Sequence, residues 1–199
     1  MLYRANTLMD VEDAARKFLK NIYKKGISNE AEFQFELASF IKDNIPGSII
    51  YFERSYRSFG IEDSNFVKKE IDLVIQKDDG TLSAIELKYP KNGRVPETMY
   101  DFIKDIKFLE QLAESKKFKR NLFLVITSDK KFWSGKSKTI YAYFRGNEVH
   151  IPKTSINKPT GQKRDASIKL DNKYRAEWES ISDSSDSKPE MKFLLIEVN

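Results

Sequence analysis

Three features of this chain predict an α/β fold with a central mixed sheet flanked by helices. Two segments with apolar residues at helical spacing bracket three short strand-like segments. The last of those strands ends in Glu86-Leu87-Lys88. Beyond the second helical segment, residues 121–127 (Asn-Leu-Phe-Leu-Val-Ile-Thr) form an apolar run with the character of a strand buried on both faces. The order over residues 28–127 is therefore αβββαβ, with a helix added before it and a β-rich extension after it.

Each element has a local reason. Residues 10–24 place Val11, Ala14, Ala15, Phe18 and Ile22 on one helical face, and Gly26 closes that helix. Ser28 or Asn29 caps the next helix, which runs to about residue 42 and is stopped by Pro46-Gly47. Its buried stripe is Phe33, Leu37, Phe40 and Ile41, and Glu32 suits the return partner of a capping box on Asn29. Residues 48–52 read as a short strand. Strands starting at Glu70 and Leu82 are joined by Asp78-Asp79-Gly80, where Asp79-Gly80 suits positive φ at both centres of a tight hairpin turn. Pro90 and Pro96 bracket a basic loop. A helix from about 97 to 115 then carries the stripe Phe102, Ile106, Leu109 and Ala113.

Farther on, residues 139–144 and 148–151 read as a hairpin around Gly146-Asn147. Residues 152–167 read as a mobile loop, and Tyr174 and Trp178, at helical spacing, as core anchors. Residues 182–189 read as a turn-rich linker, and 191–198 as a late strand returning to a sheet. The expected organisation is a single domain over 1–199, with 1–27 a helical addition, 28–127 the core and 128–199 the extension.

Composition narrows the chemistry. The 199 residues are 40% hydrophobic and 13% aromatic, enough for a packed core. There is no cysteine, which excludes disulfides and thiolate metal sites, and the single histidine, His150, excludes a histidine-rich zinc site. No apolar run spans a bilayer and no secretory signal opens the chain, so no membrane partner is expected and the expected location is the cytoplasm. A net charge of +5 and a pI near 9.1 are compatible with nucleic acid. The basic residues cluster: Lys68-Lys69 before the Glu70 strand, Lys91 and Arg94 beyond Lys88, Lys116 to Arg120 before the buried strand, and Lys130 to Lys138 after it. Loops so charged suit contact with phosphates, and suit ordinary solvated surface equally well.

The densest chemistry lies between Glu70 and Lys88. Alternation along a strand sends Glu86 and Lys88 to one face, and folding about residues 79 and 80 returns Asp72 to within a residue or two of them. Two carboxylates and an amine so gathered suit a divalent cation and a water. A solvent-facing salt bridge on an ordinary hairpin is the plainer reading, and the apolar frame of Asp72 and Glu86 counts against it, since a buried carboxylate demands a partner.

Asp72, followed by Glu86-Leu87-Lys88 on the next strand within an αβββαβ order, resembles the PD-(D/E)xK nuclease superfamily. The proline that often precedes the aspartate in that family is Ile71 here, and the resemblance spans about half of the chain. It implies a restriction-endonuclease-like fold and Mg²⁺- or Mn²⁺-dependent hydrolysis of phosphodiester bonds, with DNA the favoured substrate. Asp72 and Glu86 would hold the metal with the Leu87 carbonyl, and Lys88 would orient water or stabilise the transition state. A carboxylate from the helix after residue 28 would complete the site: Glu30, which falls near the centre of that helix's stripe, or else Glu36. Lys68, Lys69, Lys91 and Arg94 are the expected nucleic-acid contacts. For Asp105, which borders the buried stripe, and for Lys104 on the opposite side of that helix, a surface salt bridge is the first reading and recruitment to the site the second. A homodimer, which would allow a double-strand cut, stays open. The alternative function is a non-catalytic DNA-binding or assembly module on the same fold.

Overall fold

The computed structural model describes residues 9–22, 25–62, 65–91, 93–146, 149–160, 166–181 and 190–199. Its elements begin with helices α1 (Val11–Asn21) and α2 (Glu30–Asn44) and strands β1 (Ile49–Ser55), β2 (Glu70–Gln76) and β3 (Leu82–Lys88). Helix α3 (Val95–Glu114) and strand β4 (Asn121–Thr127) follow. Among the described residues six further strands follow: β5 (His150–Ile151), β6 (Ser155–Asn157), β7 (Ser167–Lys169), β8 (Tyr174–Arg175), β9 (Trp178–Ser180) and β10 (Lys192–Val198). The α2-β1-β2-β3-α3-β4 stretch keeps the expected αβββαβ order.

Caps set the starts of the first two helices. Asp10 accepts from the Asp13 N–H at 2.9 Å, and Asn29 accepts from the Glu32 N–H at 2.8 Å. The Glu32 carboxylate turns back to the N–H of Ser28 at 2.7 Å, closing the capping box one residue earlier than expected. The expected α1 residues 23 and 24 lie outside the described residues. Pro96 sits in the first turn of α3, where its missing N–H has no helical partner to lose, so the helix starts ahead of the expected position.

A six-stranded mixed sheet in the order β1-β2-β3-β4-β10-β9 organises the fold. Among the described strands only β3 and β4 pair in parallel, with Ile85 opposite Leu122 and Lys88 opposite Val125. The 20-residue α3 makes the crossover that a parallel pair requires. The β2–β3 hairpin turns through three residues, not two. Gly80 alone in this turn takes the left-handed conformation, at φ 80°, and its N–H bonds the Lys77 carbonyl at 2.9 Å. The Asp79 carboxylate instead accepts from the Thr81 N–H at 2.9 Å, which holds the loop without positive φ at Asp79.

Both faces of the sheet are covered. On one, α1 and α2 pack Phe18, Phe33, Leu37 and Ile41 onto Leu73, Ile75, Ile85, Leu122, Leu124 and Ile126. On the other, α3 packs Phe102, Ile106 and Leu109 onto Val74, Ala84, Phe123 and Val125. All seven residues of β4 are buried, which accounts for its unbroken apolar run. The late strand also joins the sheet: β10 runs antiparallel to β4 from Lys192–Thr127 to Val198–Asn121. No helix among the described residues is long and apolar enough to cross a membrane.

The extension departs from expectation in three places. Thr139–Tyr143 is a 3₁₀ helix rather than a strand, and β5 pairs with β8, so the hairpin expected around residues 146 and 147 does not form; Asn147 and Glu148 themselves lie outside the described residues. The expected loop 152–167 instead contains β6, which pairs with β7 at the loop's end, and Ile156 and Ile168 reach the α3-side core; residues 161–165 of that loop lie outside the described residues. Tyr174 and Trp178 lie on strands, their spacing interrupted at Ala176, whose N–H bonds Val149. These strands have two or three residues each, too few to display a period. The linker expected at 182–189 lies outside the described residues.

Candidate active site

The β2–β3 ladder ends at Leu73–Ile85, and continuing that register by one residue sets Asp72 opposite Glu86. Beyond this point, carboxylates replace carbonyls as the acceptors. The Leu87 N–H donates to Asp72 Oδ2 at 3.0 Å, and the Asp72 N–H donates weakly to Glu86 Oε1 at 3.4 Å. The other edge of β2 is interrupted at the same place. Glu53 on β1 has φ 48°, and Gln34 of α2 reaches into the gap, donating Nε2 to the Asp72 carbonyl at 2.6 Å and to Glu53 Oε1 at 3.0 Å. Main-chain strain at a non-glycine residue is here tied directly to the residue that presents Asp72.

Two lysines enter this opening from opposite sides. Lys68 pairs with Glu86, with Asp105 Oδ1 at 3.0 Å and with Asp72 Oδ1 at 3.6 Å. Lys88 lies 3.4 Å from Asp105 Oδ2, 3.6 Å from Glu30 Oε1 and 3.8 Å from Asp72 Oδ2, and donates to the Leu87 carbonyl at 3.0 Å. Glu30, at the first position of α2, also accepts from the Tyr89 N–H at 3.0 Å. Glu36 turns away to pair with Lys25 at 2.8 Å, so α2 brings Glu30 to the site and not Glu36.

Asp105 is not part of a surface pair. It is 3% exposed on α3, bridges both lysines, and its Oδ2 accepts no hydrogen bond. The signal for it was a carboxylate bordering an apolar stripe, with Phe102 and Ile106 beside it. Lys68 is also more deeply placed than a phosphate contact at the rim, whereas Lys69, Lys91 and Arg94 are exposed. The cluster at 116–120 is far from this opening. In a parallel β3–β4 pair, residues preceding β4 stand at the Leu82 end of β3, where the Lys119 N–H bonds the Leu82 carbonyl at 2.7 Å. Lys88 is at the opposite end.

Four carboxylates (Glu30, Asp72, Glu86 and Asp105) face two ammonium groups, leaving two negative charges unmatched when all are ionised. Glu86 is fully buried, and burial first, then Asp72 and Asp105, raise its pKa well above the usual glutamate range against the pull of Lys68. Burial alone would lower both lysines. For Lys68, the carboxylates of Glu86, Asp105 and Asp72 outweigh it and its pKa is raised. For Lys88, Asp105, Asp72 and Glu30 do the same, against repulsion from Lys68. Lys88 is therefore a firm cation at neutral pH, fitted to hold charge and donate hydrogen bonds and unfitted to act as an acid or a base.

Among the described residues, no group of three or more histidine, cysteine or carboxylate side chains stands as a ready-made metal cage. The point on which Asp72, Glu86 and Asp105 converge carries the Lys68 ammonium. The donor set itself fits a hard divalent cation: three carboxylates and the nearby Leu87 carbonyl, all oxygen, with one buried oxygen of Asp105 lacking a hydrogen bond. An open cleft of about 440 Å³ leads to the site, lined by Glu53, Val67, Lys68, Lys69, Glu70, Asp72 and Lys104.

The charge excess has a measurable cost. Because Glu86 is raised from its usual value of 4.5, the folded state binds a proton that the unfolded state releases, and stability falls as pH rises through that window. Glu86→Gln keeps an acceptor for Lys68 and removes one unmatched charge. Its expected effect at pH 8 is a gain of about 1 kcal/mol, or about 2–4 °C in Tm for a chain of this size, and no gain below the usual glutamate range, where both states of Glu86 are protonated. Thermal melts across pH check this; a variant no more stable than the wild type at pH 8 would mean that Lys68 fully compensates Glu86.

Compared with known proteins, the chain matches no family model, no curated protein and no solved structure.

Proposed function

We propose that this chain is a metal-dependent nuclease of the PD-(D/E)xK type, acting on nucleic acid and most naturally on DNA in the cytoplasm. The observation that carries the reading is the junction at the end of the β2–β3 ladder. There Asp72, Glu86 and Lys88 meet in the order and on the strands that the resemblance requires. The αβββαβ order and the mixed sheet support a restriction-endonuclease-like arrangement.

Asp72 and Glu86, with the Leu87 carbonyl and with Asp105 as a third carboxylate, would hold Mg²⁺ or Mn²⁺. When bound, such an ion supplies Lewis acidity that lowers the pKa of water and offsets charge on the scissile phosphate. The protein's own groups do the rest. Lys88, held by Glu30, Asp105 and Asp72, keeps its proton and presents positive charge where the phosphate gains negative charge. Glu30 positions Lys88 and secures the Tyr89 N–H, which ties α2 to the end of β3. Lys69 and Lys104 line the cleft through which a phosphate would approach, and exposed Lys91 and Arg94 lie just past the end of β3.

Supercoiled-plasmid cleavage tests the reading. Relaxation is expected with Mg²⁺ or Mn²⁺ and is expected to vanish with EDTA. Salt-dependent DNA binding without turnover, together with no metal uptake by calorimetry, would favour the non-catalytic binding module instead.

A further inference from the structure

We infer that Lys68 is a resident counter-cation that must leave its place for a divalent cation to enter, and that on leaving it turns into the cleft to meet the substrate phosphate. This rests on the reading of the site as one for a divalent metal.

Three observations carry it. First, the Lys68 ammonium stands at the convergence of Glu86, Asp105 and Asp72, so one position serves either cation and not both. Without a cation there, the buried Glu86 and Asp105 would face each other across a low-dielectric pocket with only Lys88 to offset them. Second, Lys68 comes from a loop held apart from the strands. Gln111 of α3 accepts from the Val67 N–H at 2.9 Å and donates to the Asn65 carbonyl at 2.9 Å, fixing the main chain while leaving the lysine side chain to move. Third, an exit is present. Lys68 lines the 440 Å³ cleft that Lys69 and Lys104 also line, so a displaced ammonium joins two others at the place a phosphate would occupy.

The exchange puts two positive charges where one stood, so the excess of two negative charges at the site falls to one. Ion pairs from one ammonium to three carboxylates are broken, oxygen–metal contacts replace them, and the released ammonium gains a phosphate oxygen as its new partner. Metal loading and substrate attraction are thereby coupled through one side chain: the cleft becomes more basic only when the catalytic ion is in place.

Two measurements test this on the full chain. Mn²⁺ binding by calorimetry compares the wild type with Lys68→Met, which keeps an unbranched side chain of similar length and removes the competing charge. The variant is expected to bind Mn²⁺ at least tenfold more tightly. In the wild type, which needs no variant to fold, lysine acetylation read by mass spectrometry should show Lys68 labelling rising about fivefold relative to Lys69 when Mg²⁺ is saturating. Metal uptake by the wild type with unchanged Lys68 labelling, or with Lys68→Met binding no more tightly, would overturn the exchange and leave the nuclease reading standing. No metal uptake by either protein would overturn both.

Discussion

Lys88→Ala and Asp72→Asn are each expected to lower the proposed metal-dependent cleavage by a factor of about 10²–10⁴, the range found when one positioned acid, base or charge donor is lost. The two variants remove different things. Asp72→Asn retains an oxygen for the Leu87 N–H and so keeps the hairpin closed at that point, while it removes a ligand charge. Its Tm is expected to equal or exceed that of the wild type, because the site carries unmatched negative charge. Lys88→Ala takes away the cation 3.4 Å from Asp105 Oδ2, a buried oxygen without a hydrogen bond, and a loss of about 1–3 kcal/mol is expected. Single-turnover cleavage with melts run in parallel separates the effects. An inactive but equally stable Asp72→Asn protein supports a chemical role, and an active one would remove Asp72 from the site.

The same pair of strands shows what a sequence can and cannot disclose. The hairpin was legible because Asp79-Gly80 interrupts two alternating apolar runs, and any fold about that turn carries Asp72 back to Glu86. Strand β4 was legible because burial on both faces leaves no polar position in its middle. Asp105 and Lys68 were harder. A carboxylate on the margin of an apolar helix face has the same one-dimensional signature whether it meets solvent or a buried lysine. Only the packing of α3 across the end of β2 and β3 decides between them, and that depends on contacts distant in sequence. Glu30, expected near the centre of the buried stripe, is instead exposed at the first position of α2 and reaches Lys88 and the Tyr89 N–H from there, whereas Glu36 points to Lys25. The extension was largely illegible for another reason. Strands such as Ser-Ile-Asn and Ser-Ile-Lys carry one apolar residue each, and they are held by pairing and by α3 rather than by a pattern of their own.

That dependence of the extension on α3 is concentrated in Glu110, and Glu110→Ala is expected to be the most destabilising single substitution outside the apolar core. Glu110 is 2% exposed, and its carboxylate accepts from the N–H groups of Asp171 and Asn172 at 2.9–3.0 Å and from the Tyr174 hydroxyl at 2.9 Å. Lys107, 3.3 Å away, balances its charge and also pairs with Asp171. Burial and the adjacent Glu110 charge both raise the pKa of Tyr174, so the phenol remains a donor to the carboxylate throughout the ordinary pH range. Truncation to alanine would strand two main-chain N–H groups and the phenol and leave Lys107 with only the half-exposed Asp171, a loss of about 3–5 kcal/mol, or about 10 °C in Tm at this chain length. Glu110→Gln keeps one acceptor oxygen and should fall between alanine and the wild type. Urea denaturation gives the free energies, and limited proteolysis should show new cleavage near residues 171–175, where the bonds are lost. Asp72, Glu86 and Lys88 share no contact with this network, so the metal binding proposed for them should persist in Glu110→Ala at temperatures where it remains folded. A loss below 1 kcal/mol would mean instead that β7 and β8 are held by their apolar residues alone.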